Sequence, residues 1–308
     1  MYRFLFLIPI LLFLLGSCRG TDTLVRSGDT ADPPTLETRA FSDETAISAS
    51  AGCFETDHLS ADDLRLADSL LYRGLQNEAL HTLISDLKPM SDVASFTFFL
   101  QEPDSLGPND MVAGSGDFLE KFGQLERVSN AIQCGTLSSA LFPFRNLSTN
   151  KRYILFRVFR QDAANRIIEQ YPEFWSRWGF VRGARPELMI QVMEYEEALD
   201  RFRGYGYLYG YPSHAVDFFV YAADHHRETD EFVRRDFIQV PVASGQSGRF
   251  VYAVEVGHVK NEEDQHIYSR ASENVQRFRD ESSGFYREDG TFRAMDFLHH
   301  YHTNSSSD

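Results

Sequence analysis

The stretch Arg152–Phe159 reads RYILFRVF and is the clearest strand signal in the chain. Aliphatic and aromatic side chains dominate it, and such residues favour an extended backbone inside a sheet. A second run of the same kind, VASFTFFLQ at Val93–Gln101, precedes it in the sequence. The two runs predict a small sheet in the middle of the folded part of the chain.

Helical patterns flank these strands on both sides. Ser60 with Asp63 three residues later is typical of a helix start, and apolar residues follow at helical spacing to Leu71. A second periodic run after Gly74 reaches Leu87, which predicts a helical hairpin. Further helices are predicted over 114–127, from 161 to a break at Pro172, over 185–203 with Gly204 beyond the end, from an N-cap at Ser213, over 261–281 and near 292–298.

The stretch RRDFIQVPVASGQSGRFVYAVEVGH, residues 234–258, reads as two strands around a turn at Ala243–Gly248. Residues Ser129–Asn150 carry no regular pattern and are predicted to be irregular. Together these elements predict an α+β fold over residues 58–308, mostly helical, as a single domain with a small antiparallel sheet.

The charge balance excludes several classes of function. The chain has 308 residues and a formal net charge of −15. Nucleic-acid binding needs basic side chains that displace counterions, so we expect no nucleic-acid partner. The same excess of carboxylates argues against electrostatic docking on anionic lipid.

The most unusual stretch is RGYGYLYGYPSHAVDFF, which runs from Arg203 to Phe219. Its glycines miss the GxGxxG spacing of a dinucleotide site, and the predicted order is helix, loop, helix rather than strand, turn, helix. No cofactor is therefore expected. The predicted helix start at Ser213 directs free N–H groups towards what precedes it, so an anionic group could bind there beside His214.

If this stretch is extended, alternation places four phenol rings on one face, about 7 Å apart. Such a row could stack on sugars and hydrogen-bond to them. The alternative is that the rings pack in the core near Trp175 and Trp178, with their hydroxyls reaching water. The candidate ligand-binding residues are Tyr205, Tyr207, Tyr209, Tyr211 and His214.

The other chemistry-bearing residues give weak signals. His226 and Asp230 are four apart, as a two-ligand metal clip requires, but the sequence supplies no third ligand and no metal site is predicted. The serines of SGQSG, at 244–248, lack the GxSxG pattern and sit in a predicted turn. An enzyme would need polar residues that converge only in the fold, and the candidates for it are His214, His225, His226 and Asp230.

The N-terminus is typical of an export signal. Residues 1–17 read MYRFLFLIPILLFLLGS, with Arg3 before an apolar run from Phe4 to Leu15 and small residues after it. As a helix the run would be roughly 18 Å long. A bilayer core of about 30 Å needs a longer span, so the run is not predicted to cross a membrane permanently.

The residues after this run, LLGSC from Leu14 to Cys18, resemble the lipobox of bacterial lipoproteins. The resemblance implies cleavage before Cys18, acylation of its thiol and attachment to a membrane through three acyl chains. Arg19 stands where an aspartate would retain some lipoproteins in the inner membrane, which favours the outer membrane. The alternatives are an ordinary secretory signal with a chance cysteine, or a short signal anchor.

Residues 18–57 form the predicted lipidated N-terminus and flexible tether. They are rich in Ser, Thr, Asp, Gly and Pro and hold few large apolar side chains, too few to offset the entropy of ordering. Cys53 and Cys134 remain beyond the lipidated cysteine. In an oxidising envelope they could form a disulfide, or they could be two unrelated thiols.

These features predict a membrane-anchored envelope lipoprotein whose domain is a binding or assembly module, with an envelope protein or a glycan as its partner. The alternative is an envelope hydrolase or another enzyme. The two differ in what the fold should show: an enzyme needs converging polar side chains in a pocket, whereas a binder needs a groove lined with aromatic rings.

Overall fold

The computed structural model describes residues 52–145 and 150–304. The predicted signal peptide, Cys18 and most of the predicted tether lie outside these residues. The helices are α1 (Ala61–Gln76), α2 (Leu80–Leu83), α3 (Gly116–Ala131), α4 (Gln161–Gln170), α5 (Pro172–Trp175), α6 (Pro186–Tyr195), α7 (Ala198–Leu208), α8 (Ser213–Thr229), α9 (Glu262–Glu281) and α10 (Ala294–Asn304). The strands are β1 (Met90–Phe99), β2 (Asp110–Val112), β3 (Leu137–Pro143), β4 (Lys151–Arg160), β5 (Arg235–Gln239) and β6 (Val251–Glu255).

The α+β prediction is confirmed, with helices outweighing strands. The main sheet has the order β2-β1-β4-β3. Strand β4 pairs antiparallel with both β1 and β3, while the short edge strand β2 runs parallel to β1. Strands β5 and β6 form a separate antiparallel hairpin, as the sequence predicted. None of the helices within the described ranges has the length and apolar character needed to cross a bilayer.

Strand β4 is buried on both faces because helices cover the sheet on each side. Its alternate residues Ile154, Phe156 and Val158 enter one apolar cluster, which α1, α3 and α10 complete. Leu155 and Phe159 enter a second cluster with residues of α6 and α7. The period of two places Arg157 on this second face, between two apolar residues and almost fully buried.

Two helix starts follow their sequence signals. Ser60 and Asp63 form the capping box of α1, and Asn261 and Asp264 form that of α9. The guanidinium of Arg127 donates two hydrogen bonds of 3.1 Å to Asp63. These bonds from Arg127 lower the pKa of the Asp63 carboxyl to about 2.

Outside the tyrosine-rich stretch and the helix before it, two predictions of local structure are wrong. The second helix of the hairpin is limited to Leu80–Leu83. The chain leaves the helical path there and continues to Lys88, whose side chain is buried. Residues 129–150 are not irregular throughout, since Leu137–Pro143 form β3. That strand contains two serines and a proline, so its sequence signal is weak, and its ladder to β4 holds it extended.

Cys53 and Cys134 are joined by a disulfide across a sequence separation of 81 residues. The bond ties the segment before α1 to the turn before β3, and the Phe54 amide reinforces this contact by donating to the Gln133 carbonyl at 2.9 Å. Closing a loop of this length restricts the unfolded chain and stabilises the fold by about 4 kcal/mol in the chain-entropy description.

Candidate functional site

The tyrosine-rich stretch is helical. Helix α6 ends at Tyr195 and α7 begins at Ala198, so the single helix predicted up to Gly204 is wrong. The break lies at Glu196, whose backbone is extended and whose carboxylate accepts a hydrogen bond from the Trp178 indole at 2.7 Å. Helix α7 then continues through the glycines to Leu208.

Gly204 and Gly206 lie inside α7 because neighbouring helices leave no room for a side chain there. A Cβ atom at Gly206 would lie 2.7 Å from a methyl group of Val216 in α8, and one at Gly204 would collide with Met193 in α6. The glycines therefore allow close helix packing, at the cost in helix propensity that glycine carries.

The predicted row of four tyrosines on one face is wrong, because a helix turns about 100° per residue. Tyr205 and Tyr209, four residues apart, share a side with ring centroids 5.7 Å apart. Tyr207 points away from them, is buried and stacks on Tyr171 at 3.8 Å between centroids. Tyr211 lies beyond the end of α7.

The hydroxyls of Tyr205 and Tyr209 belong to a buried polar network. Tyr209 donates to the carboxylate of Asp92 at 2.7 Å, and Tyr205 donates to Glu194. The Arg157 Nε donates to the same Asp92 carboxylate at 2.5 Å. Burial raises the pKa of both phenols above the ordinary value, so they stay protonated as donors.

A second buried ion pair adjoins this network. Lys88 is fully buried, and its Nζ lies 2.5 Å from a carboxylate oxygen of Glu78 and 4.3 Å from the ring centroid of Phe250. Burial raises the pKa of Glu78 even though Lys88 opposes the shift. The first network joins the sheet to α7, and Tyr207 is buried, so the three rings of α7 belong to the core, as in the alternative reading of the sequence. That reading placed the hydroxyls in water, whereas those of Tyr205 and Tyr209 bond carboxylates of the protein.

An open groove of about 440 Å³ lies between α4, α9 and the turn that precedes β1. Tyr211 is the member of the predicted tyrosine set that lines it, and Tyr171 adds a second aromatic ring. Apolar side chains complete its wall: Leu87, Pro89, Ala163, Ile167 and Ile267. The groove is thus half apolar wall and half polar groups, as ligand sites commonly are.

Two arginines are held over the groove by one carboxylate. Asp86 Oδ2 lies 2.8 Å from Arg166 Nη1, and Asp86 Oδ1 lies 2.7 Å from Arg270 Nη2. Burial alone would raise the pKa of Asp86, but the two guanidinium groups outweigh it and leave the pKa below the usual range. This triplet carries one net positive charge, and the aspartate fixes the orientation of both guanidinium groups.

The start of α8 faces a side chain of the protein itself. The Ser213 amide and hydroxyl both donate to the carboxylate of Glu263, at 3.4 Å each. Glu263 thus occupies the place where an anionic ligand was predicted beside His214, and its carboxylate lies 3.5 Å from His214 Nδ1. Glu263 also lines the groove, so the groove meets a cluster of histidines at this end.

That cluster comprises His214, His258 and Asp264, one ligand atom of each lying within 4.8 Å of the others. His258 Nε2 is 2.7 Å from one oxygen of the buried Asp264 carboxylate, and His214 Nε2 is 3.2 Å from the other. The two imidazole rings are stacked at 4.8 Å with an angle of 13° between their planes.

The other predicted polar residues do not join this site. His225 and His226 lie at the far end of α8, and Asp230 ends that helix with a positive φ of 59°. Helical rise separates His226 from His214 by about 18 Å. The suggestion that these four residues converge is therefore wrong, because they occupy opposite ends of one helix.

Sequence reasoning missed most of the polar groups of the site. Asp86, Arg166 and Arg270 come from three elements far apart in the chain, and no local pattern links them. His258 and Asp264 had a partial signal, because Asn261 and Asp264 mark the start of α9 three residues after a histidine. Such a helix start was read as a cap and not as a ligand position.

Comparison of the chain with protein-family models, with curated proteins and with solved structures gives no match.

Proposed function

We propose that the protein is a lipid-anchored binding protein of the bacterial envelope, and that the groove between α4 and α9 holds an acidic saccharide. The observation that carries the proposal is the open groove of about 440 Å³ with two arginines fixed on one aspartate and aromatic rings in its wall. Its volume lies within the range of about 300–1,000 Å³ that is usual for ligand sites.

The chemistry of the groove supports a saccharide. The rings of Tyr171 and Tyr211 add carbon surface against which C–H groups of a sugar ring can pack, and phenol oxygens that can bond its hydroxyls. The rings also stack on protein rings, Tyr171 on Tyr207 and Tyr211 on Tyr209 and Phe250, so only the remaining ring surface is open to a sugar. Gln170 and Asp86 provide planar polar groups beside them. Together these groups can pack against the apolar face of a sugar ring and hydrogen-bond to its hydroxyl groups.

The two arginines of the groove favour an acidic group beside them on that saccharide, away from the negative charge of Glu263. Arg166 and Arg270 share a single carboxylate, and their side chains are 51% and 37% exposed, so donors remain open to a ligand. A carboxylate of the ligand would receive charge-assisted hydrogen bonds, which are about twice as strong as neutral ones. Because the Arg donors are already oriented by Asp86, little conformational entropy is lost on binding.

Binding also fits the groove better than catalysis does. Its charged side chains are already paired, Arg166 and Arg270 with Asp86, and Glu263 with the neighbouring Ser213. Such pairs hold a ligand in a fixed geometry. A catalytic nucleophile or base would instead have to be activated by a neighbour and be aimed at the ligand.

The binding test is an array of immobilised oligosaccharides that contain muramic or uronic acids, each printed beside its carboxyl-reduced neutral counterpart. We expect the full chain in detergent to bind acidic members and to bind their reduced counterparts at least about tenfold more weakly. The signal should fall as salt rises, because exposed charges are screened. Equal binding of acidic and reduced sugars, or none of either, would refute the saccharide proposal.

The proposed lipid anchor is inferred from the resemblance of Leu14–Cys18 to a lipobox. We expect Cys18→Ala to abolish acylation, because the thiol is the acylated group, and to move the protein from the membrane fraction. Metabolic labelling with a fatty acid and detergent partitioning measure both effects, with Ser27→Ala in the predicted tether as the control. Unchanged labelling and partitioning of Cys18→Ala would contradict the anchor.

A further inference from the structure

We propose that His214, His258 and Asp264 form a binding site for one divalent transition-metal ion, with Zn²⁺ as the reference ion. The ligand set is two imidazoles and one carboxylate, a combination that occurs in zinc sites with an open fourth position. The proposal is independent of the saccharide groove, although the two sites are neighbours through Glu263.

The three ligand atoms lie within 4.8 Å of one another, and one of the spacings between them matches that of a tetrahedral ion. Ligand bonds of about 2.0–2.2 Å at tetrahedral angles place neighbouring ligand atoms roughly 3.3 Å apart. His214 Nε2 and Asp264 Oδ1 are 3.2 Å apart, which already matches this spacing. His258 Nε2 and Asp264 Oδ2 are 2.7 Å apart and joined by a hydrogen bond, so the ion would displace the proton between them and move the two atoms slightly apart.

His214 Nε2 is a buried nitrogen without a hydrogen-bond partner among the described residues. Within the described residues it makes no hydrogen bond, although the Asp264 carboxylate is 3.2 Å away, because the two groups are not aligned for one. A buried polar atom left in this way is costly. A metal ion between the imidazole and the carboxylate would bind the nitrogen lone pair directly.

Neighbouring groups hold two of the three ligands, Asp264 and His214, in place. Tyr252 donates to Asp264 Oδ1 at 2.6 Å, and the Asn261 amide donates to Asp264 Oδ2 at 3.0 Å. His214 Nδ1 lies 3.3 Å from the side-chain amide nitrogen of Asn261, which can only donate, and 3.5 Å from the Glu263 carboxylate. Binding of the ion at Nε2 would place the imidazole proton on Nδ1, facing Glu263, and would require the Asn261 amide to turn. Such partners of a ligating histidine are typical of metal sites.

The electrostatics of the site are balanced once an ion is bound. Asp264 and Glu263 supply two negative charges, which match the charge of one divalent ion. The starts of α8 and α9 both lie at the cluster, and their partial positive charges oppose a cation. We therefore expect an affinity that is measurable by calorimetry and weaker than that of a four-ligand structural site.

The test uses the full chain in detergent, freed of metal with EDTA and titrated with Zn²⁺ by calorimetry. We expect one equivalent to bind and to raise the melting temperature, an increase that EDTA reverses. His214→Gln and His258→Gln should each weaken Zn²⁺ binding at least tenfold. Glu263→Gln should weaken it by about tenfold through the orientation of His214.

His299→Gln is the matched control, because His299 is exposed on α10 and lies outside the cluster. Its Zn²⁺ affinity should equal that of the unmodified chain. Circular dichroism of each variant shows whether it is folded, and Co²⁺ absorption in the visible range reports directly on the ligand set. Absence of stoichiometric binding, or equal Zn²⁺ affinity in folded His214→Gln and His258→Gln, would overturn the proposal.

Discussion

Replacement of Arg157 by leucine lowers the free energy of unfolding by about 3–5 kcal/mol, the usual cost of removing one partner from a buried ion pair. Arg157 is 2% exposed, and its Nε lies 2.5 Å from Asp92. Without the guanidinium group, the Asp92 carboxylate keeps the hydrogen bond from Tyr209 but has no positive charge beside it. The measurement is chemical denaturation at neutral pH.

Lys151→Leu is the control for this experiment, because Lys151 lies on the same strand and the same face but is only half-buried at its end. It should change the free energy of unfolding by less than about 1 kcal/mol. The double variant Arg157→Leu/Asp92→Leu should recover part of the loss, since both charges are then absent. A loss below 1 kcal/mol in Arg157→Leu would contradict the assignment of this pair to the core.

Acidification from pH 8 to pH 5 destabilises the protein through two buried histidines. Burial lowers the pKa of His81 from 6.5 to about 3 and that of His302 from 6.5 to about 4. His81 stays neutral between two partners: its Nε2 lies 2.9 Å from the Pro241 carbonyl, and its Nδ1 lies 3.2 Å from the amide nitrogen of Asn274. The Nε2 of His302 lies 2.8 Å from the Leu83 carbonyl.

The direction of this change in stability with pH follows from proton uptake by the unfolded chain. Below pH 6.5 the unfolded histidines bind protons, whereas the folded ones stay neutral until about pH 3 and pH 4, so stability falls as the pH falls. Each histidine should contribute a loss of about 2 kcal/mol between pH 8 and pH 5. The raised pKa of Glu78 acts in the opposite direction, so a variant is needed to isolate one histidine.

His302→Gln isolates that contribution. Its free energy of unfolding should fall about 2 kcal/mol less than that of the unmodified chain between pH 8 and pH 5. His299→Gln should keep the full pH dependence, because its side chain is exposed on the same helix. Denaturant midpoints at several pH values measure this difference. Identical pH profiles for His302→Gln and the unmodified chain would show that His302 does not remain neutral in the fold.

The sequence predicted the fold class and most elements because the signals involved are local. The capping box at Ser60, the aliphatic run of β4 and the β5–β6 hairpin depend on residues close together in the chain. Strand β3 was not predicted because its residues have a weak propensity for extended structure. Its pairing with β4 keeps it extended. The polar bonds of Tyr205 and Tyr209 could not be seen either, since Asp92 and Arg157 come from the distant sheet.

The glycines of α7 show why the tyrosine stretch was misread. Gly204 normally indicates the end of a helix, and the sequence offers no sign that Met193 and Val216 fill the space of the missing side chains at Gly204 and Gly206. Tertiary packing here overrides the local propensity of glycine. Of the four tyrosines predicted to bind a ligand, only Tyr211 lines the groove. The prediction of ligand binding therefore applies to Tyr211 alone among them.

The central claim is that the groove binds an acidic saccharide through Arg166 and Arg270. Calorimetry of the full chain with the acidic saccharide that binds most strongly on the array tests this claim. Arg270→Gln is the variant. Arg279→Gln is the control, because Arg279 is exposed farther along the same helix. We predict that Arg270→Gln weakens binding at least about tenfold, the loss of one charge-assisted hydrogen bond, while Arg279→Gln binds normally. Equal affinity of Arg270→Gln and the unmodified chain would contradict the claim.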